Sequence, residues 1–209
     1  MKLNNLFLKM KNFFSIFCVV LIIFSCKEGK QPILGATNWQ KEQNAMFKDA
    51  SKSPLKDRDR QDFNGLDFFE FDSTFVVKAI LKRTPNSKWF KMKRTLNETT
   101  DERVYGVLNF KLKGKAYTLN VYQGKELMTK KGFEDYLFLP FLDDTNGDTT
   151  YGGGRYIDLR IPEGNTIEID FNKAYNPYCA YNEKFSCPIV PRENYIDIAV
   201  KAGVKEFKK

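Results

Sequence analysis

The sequence predicts a mainly β fold, an antiparallel β sandwich or partly open barrel with one N-terminal helix. Three observations carry that expectation. From Phe68 onward apolar residues recur with a period of two, Gly- and Asn-containing turns separate short apolar runs, and only one early segment has clear helical spacing.

That segment opens with Thr37-Asn38-Trp39-Gln40, the spacing of a capping box. Trp39, Met46, Phe47 and Ala50 fall near one face at helical spacing, which predicts a helix over residues 38–50. Pro54 and the charged run at 56–60 interrupt it and read as a solvated, partly helical surface. The period then changes. "TFVVKAILK" is rich in β-branched and aliphatic residues, and "VYGVLNFKLK" places Val104, Gly106, Leu108, Phe110 and Leu112 on one face of a strand. A turn at Lys113-Gly114 leads to "AYTLNVYQ", with Tyr117, Leu119 and Val121 alternating. "DYLFLPFLDDTNGDTTYGGGRYIDLRI" reads as a hairpin around Asn146-Gly147, a dipeptide suited to a primed two-residue turn. "TIEIDF" puts Ile167, Ile169 and Phe171 on one side, and "YIDIAV" is the last candidate strand. About seven or eight strands joined by short turns suit a sandwich or open barrel.

The N-terminus is of another kind. Lys2, Lys9 and Lys11 precede an apolar run at 13–24, shorter than the roughly 20 residues a bilayer span needs, so it reads as the core of a signal peptide. Its end, Ile23-Phe24-Ser25-Cys26, resembles a bacterial lipoprotein signal, with Cys26 the lipid attachment site. The expected organisation is a signal peptide over 1–25, a tether over 26–36 and a single β-rich domain over 37–209. The protein is expected in the bacterial cell envelope, lipid-anchored to a membrane and facing the periplasm or exterior. Loss of 1–25 leaves 31 basic against 26 acidic residues, a surplus of +5. Those cations form no dense block, which argues against nucleic acid as a partner.

Cysteine and histidine narrow the chemistry. Of four cysteines, Cys18 lies in the leader core and Cys26 at its end, leaving Cys179 and Cys187 for the domain. Export favours a disulfide between them, contributing about 2.5 kcal/mol by chain entropy; two free thiols are the alternative. The chain has no histidine. That removes the usual neutral-pH base and the commonest zinc ligand, and no cofactor or metal is expected. "DDTNGDTT" spaces Asp144, Asn146 and Asp148 like calcium ligands, but Thr149 and Arg155 occupy the positions that need Gly and Glu, so it reads as a turn.

Two segments hold the candidate ligand residues. In "YGGGRYIDL" the glycines imply a bulge or close approach, Tyr151 opens the segment, and Arg155 alternates in phase with Ile157, Leu159 and Ile161. On a buried face, Arg155 either grips a ligand carboxylate or phosphate or pairs with Asp143, Asp144 or Asp170. The second segment, residues 171–194, is one long crossover in which Asn172, Tyr175, Asn176 and Tyr181 offer rings and amides suited to sugar or peptide recognition. The same inventory suits a lid packed on the sheet.

"FNGLDFFEFD", "TYGGGRYIDL", "DFNKAYNPYCAYNEKFSCPIVPREN" and "AVKAG" together resemble the prokaryotic domain of unknown function 1684, from about residue 53 to 203. The resemblance marks Arg155, Asp170, Asn172, Tyr175, Asn176, Cys179, Tyr181, Cys187 and Asn194 as family-pattern positions and assigns them no role. Val204 stands where members carry an acid. The resulting expectation is an envelope lipoprotein with a non-catalytic domain for a small polar ligand, glycan or peptide. The alternatives are a hydrolase that uses carboxylates or a cysteine, and a structural envelope-assembly protein.

Overall fold

The computed structural model describes residues 35–208. The expected leader, with Cys18 and Cys26, and the tether up to residue 34 lie outside the described residues.

Helix α1 (Asn38–Lys48) begins as its sequence predicts. The Gln40 amide donates to Thr37 Oγ1 at 3.2 Å, while Gln40 Oε1 accepts from the Thr37 amide at 3.1 Å. This reciprocal cap buries a polar Gln without leaving its amide oxygen unpaired. The helix ends at Lys48 because Asp49 turns extended, so Ala50 is not part of the apolar face expected of it. Helix α2 (Asp57–Gln61) is one short turn with no buried residue, a solvated surface.

Eight strands follow: β1 (Val76–Arg83), β2 (Phe90–Lys93), β3 (Thr99–Leu112), β4 (Lys115–Gly124), β5 (Tyr136–Asp143), β6 (Arg155–Arg160), β7 (Thr166–Asp170) and β8 (Tyr195–Ile196). They form a strongly curled half-barrel in the order β6-β5-β4-β3-β1-β7, with β2 added to β3 and the two-residue β8 lying parallel to β5. All other pairings are antiparallel. The β3–β4 turn places both Lys113 and Gly114 at positive φ, the backbone whose twist matches a tight hairpin.

Two features depart from the sequence expectation. The β5–β6 hairpin exists, but β5 ends at Asp143 and β6 starts at Arg155, so Asn146-Gly147 lies inside a longer loop. Asn146 folds that loop on itself, donating to Thr150 Oγ1 at 2.9 Å and to the Tyr151 carbonyl at 3.1 Å. The second departure is a β-bulge between Val104 and Gly106. Leu108, Phe110 and Leu112 face the main core as expected, but the extra residue turns Tyr105 towards that core and sends Val104 to the opposite face.

Both faces of the sheet are therefore covered. The main core collects Leu108, Leu119, Val121, Leu137, Leu139, Phe141, Ile157, Ile169 and Phe171 on one side. Strand alternation places Tyr122, Phe138 and Tyr156 on the other, packed with Met92 and Val190. A third cluster joins α1 to the crossover through Phe47, Phe68 and Tyr181.

Candidate functional site

Arg155 starts on the buried face of β6 in phase with Ile157 and Leu159, as its alternation predicts, and it is wholly enclosed. Its guanidinium donates to Asp143 Oδ2 at 2.8 Å, to the Val200 carbonyl at 2.8 Å and to the Ala202 carbonyl. Asp143 is equally buried; its other oxygen accepts from the Thr145 amide and hydroxyl and from the Val200 amide. Burial pulls the guanidinium pKa below its ordinary value, and Asp143 opposes that pull. Of the two roles weighed for Arg155, the geometry is that of the internal ion pair with Asp143. No face of it is open, and its partners tie the C-terminal segment to the β5–β6 end. The glycines beside it serve backbone proximity. A Cβ on Gly154, at φ +87°, would lie 2.7 Å from the Phe141 carbonyl oxygen and 2.7 Å from Val190.

The remaining candidates disperse. Asp144 is exposed and accepts from Tyr195 Oη. Among the described residues no three His, Cys, Asp or Glu side chains gather as a metal site. Asp170 caps the turn at Phe171–Lys173, accepting from the Asn172 amide at 3.0 Å, while Asn172 exchanges two hydrogen bonds with the Asp72 backbone. Asn176 donates to the Lys205 carbonyl at 2.9 Å and to Tyr181 Oη at 3.3 Å; Tyr181 packs on Phe47 and Phe207. Tyr151 Oη lies 3.9 Å from Cys179 Sγ. These groups hold the crossover in place rather than present it. Of the predicted ligand residues, Tyr175 lines the cleft described below.

The crossover is a lid pinned at three points. Tyr175 and Tyr156 exchange amide–carbonyl bonds of 3.0 and 2.9 Å, fixing its start to β6. The Ile189 amide donates to the Lys93 carbonyl at 2.8 Å, and Arg94 pairs with Pro188, fixing its middle to β2. Asn194, fully buried, donates to the Asn120 and Pro140 carbonyls and accepts from the Asn120 amide, fixing its end across β4 and β5. The disulfide expected within it is not formed. Cys179 and Cys187 are free thiols in hydrogen-bond contact, not a covalent staple.

Between this lid, α1, the β2–β3 hairpin and the second face of the sheet lies a cleft of about 1090 Å³. Phe138, Tyr156, Tyr178 and Phe185 supply rings, and Trp39 and Met46 of α1 close one side. Asp158 supplies the polar focus. A single oxygen accepts from Tyr136 Oη at 2.7 Å and from Tyr175 Oη at 2.6 Å. Burial, reinforced by Asp158, pushes both phenols well above their usual range, so they stay protonated donors. Glu102 enters from β3 opposite Gly124, where a Cβ would lie 3.0 Å from its carboxylate. Burial pushes Glu102 up to about 7, with Asp101 adding and Thr100 and Arg94 opposing. Arg94, Lys125 and Lys130 add cations to the rim.

The family whose pattern spans this architecture, described as a protein of unknown function (DUF1684), matches residues 61–205. The chain belongs to the DUF1684 family. Within the solved structures it is similar to the solution NMR structure of an uncharacterised protein from Haloarcula marismortui, with 31% identity and a TM-score of 0.63. That likeness covers 79% of this chain and 89% of the other. No curated protein matches the chain.

In this DUF1684 chain sequence reasoning missed the cleft residues Tyr136, Asp158, Glu102 and Arg94. Asp158 does sit at the polar position of an alternating strand, and Gly124 interrupts the end of another. Those signals were present, but they are shared with any solvated strand edge.

Proposed function

We propose that this DUF1684 chain is a lipid-anchored protein of the bacterial envelope whose cleft binds a small polar ligand, with a glycan favoured over a peptide. Tyr136 and Tyr175 sharing one Asp158 oxygen beside the Phe138 and Tyr156 rings carry this reading. A pyranose offers an apolar face to an aromatic ring and hydroxyls to fixed carboxylates and phenols, and the cleft combines both within one wall. The short apolar leader ending at Cys26 supports the envelope setting. The test is a thermal-shift and glycan-panel screen of the purified domain beside Asp158→Asn and a Tyr136→Phe/Tyr175→Phe double variant. A glycan that binds wild type and loses at least tenfold affinity in both variants supports the reading. A bound glycan that both variants hold equally, or no binder across the panel, overturns it.

One observation favours a second reading, an enzyme. Glu102 lies within the cleft with its carboxyl held near neutrality, where a group can both give and take a proton. Turnover of a glycoside or ester by wild type, lost in Glu102→Gln without loss of folding, would select it over binding alone.

A further inference from the structure

Cys179 and Cys187 sit together in the lid, with Cys187 on the cleft wall. Cys179 is half-buried, and its sulfur is met by the Cys187 thiol and by Tyr151 Oη at 3.9 Å. Cys187 is 6% exposed and lines the cleft wall. Its amide donates to Thr95 Oγ1 at 3.0 Å, its carbonyl accepts from the Thr95 amide at 3.0 Å, and its sulfur accepts from the Cys179 amide at 3.2 Å. Cys179 is thus the more exposed of the two neighbouring cysteines, and the β2–β3 hairpin clamps Cys187.

We propose that Cys179 and Cys187 form a thiol–disulfide exchange site, with Cys179 the attacking thiol, Cys187 the resolving thiol and a low-molecular-weight disulfide the substrate. The Cys179 thiolate attacks one sulfur of the disulfide RSSR, forming a Cys179–SR mixed disulfide and expelling RS⁻. Cys187 then gives its proton to solvent and attacks the Cys179 sulfur, closing the Cys179–Cys187 bond and expelling the second RS⁻. Two protein thiols are oxidised and one disulfide is reduced to two thiols.

The electrostatics agree with these roles. The Cys187 S–H is the chief donor lowering Cys179, to about 6, followed by Tyr151 Oη and the Thr95 hydroxyl; burial opposes them. Cys187 is pushed up by its sulfur neighbour and by burial, with the Cys179 amide and then the Arg94 guanidinium opposing. Tyr156 and Tyr178 are the other titratable groups facing the pair. Both directions favour the charge on Cys179 over Cys187. This proposal does not rest on the glycan reading: the pair could exchange thiols whether or not a sugar enters the cleft.

The experiment mixes pre-reduced protein with oxidised glutathione and follows intact mass and the mapped site of modification over time. Wild type is expected to lose two hydrogens with at most a transient single adduct, and Cys187→Ser to stop at one stable adduct on Cys179. Cys179→Ser should react several-fold more slowly, because the remaining Cys187 is buried and its thiol is pushed up. The wild-type rate should rise with pH through a midpoint near 6, and Tyr151→Phe should move that midpoint upward. First modification at Cys187, equal rates at both sulfurs, a rate midpoint near 8.5, or a wild-type adduct that never resolves would overturn the proposal. The site mapping and pH profile need only wild type, so a variant that fails to fold does not shield it.

Discussion

At the scale of residues, Arg155 and Glu102 bury charge with opposite consequences. The Arg155 guanidinium finds one carboxylate and two carbonyls, so its enclosure is compensated. Arg155→Met should leave the Asp143 carboxylate enclosed without its cation and cost about 3–5 kcal/mol. Adding Asp143→Asn should recover part of that loss, because Asn keeps an oxygen for the Thr145 and Val200 donors. Urea denaturation of the two variants checks both statements. Glu102 is the uncompensated case. Its folded pKa lies above the unfolded one, so the folded state holds the extra proton between about 4.5 and 7. Stability contributed at this site therefore falls as pH rises through that window, on the order of 1 kcal/mol once screening at its open side is counted. Glu102→Gln should flatten that part of the stability–pH curve, and an unchanged slope would contradict the burial assigned to it.

At the scale of elements, single backbone features decide which face a side chain serves. The bulge before Gly106 moves Val104 to the cleft side, and a Cβ at Gly106 would lie 2.5 Å from Leu81 Cδ1 and 2.8 Å from the Lys82 carbonyl. The three consecutive glycines before Arg155 are not equivalent. Gly154→Ala forces a side chain onto a positive-φ backbone and into the Phe141 carbonyl, and should cost about 2 kcal/mol or more, the clash adding to the strain of that backbone region. Gly152→Ala meets only Gly147 atoms at 3.7 Å or beyond, an ordinary contact, and should change stability by less than about 0.5 kcal/mol. Thermal unfolding of the pair separates close approach from simple chain flexibility. The same reasoning explains the hairpin misread at Asn146-Gly147. Gly147 does take a positive φ of 81°, so the dipeptide marks a turn, but Asn146 spends its side chain closing a loop instead of registering two strands.

At the scale of the whole molecule, a half-barrel must cover both faces of its sheet. The main core covers one, and the lid with α1 covers the other incompletely, so the cleft is what remains between them. If the domain is moored through Cys26, metabolic labelling with an alkynyl fatty acid should mark wild type and not Cys26→Ala, and the variant should move from the membrane to the soluble fraction. Label that persists in the variant would end the lipoprotein reading.

The residues written in the chain determined much by themselves. Periodicity set the β class and most strands, the capping box set the start of α1, and the burial of Arg155 followed from its phase on β6, because these depend on near neighbours along the chain. Residues 171–194 were legible as one crossover with no regular period. Tertiary structure alone decided that Arg155 pairs with Asp143, that the cysteines sit unbonded, and that Tyr136, Asp158, Glu102 and Tyr175 meet in one cleft. The physical reason is distance along the chain: those side chains come from β3, β5, β6 and the crossover, and only the curl of the sheet and the three pins of its lid bring them within reach of one ligand.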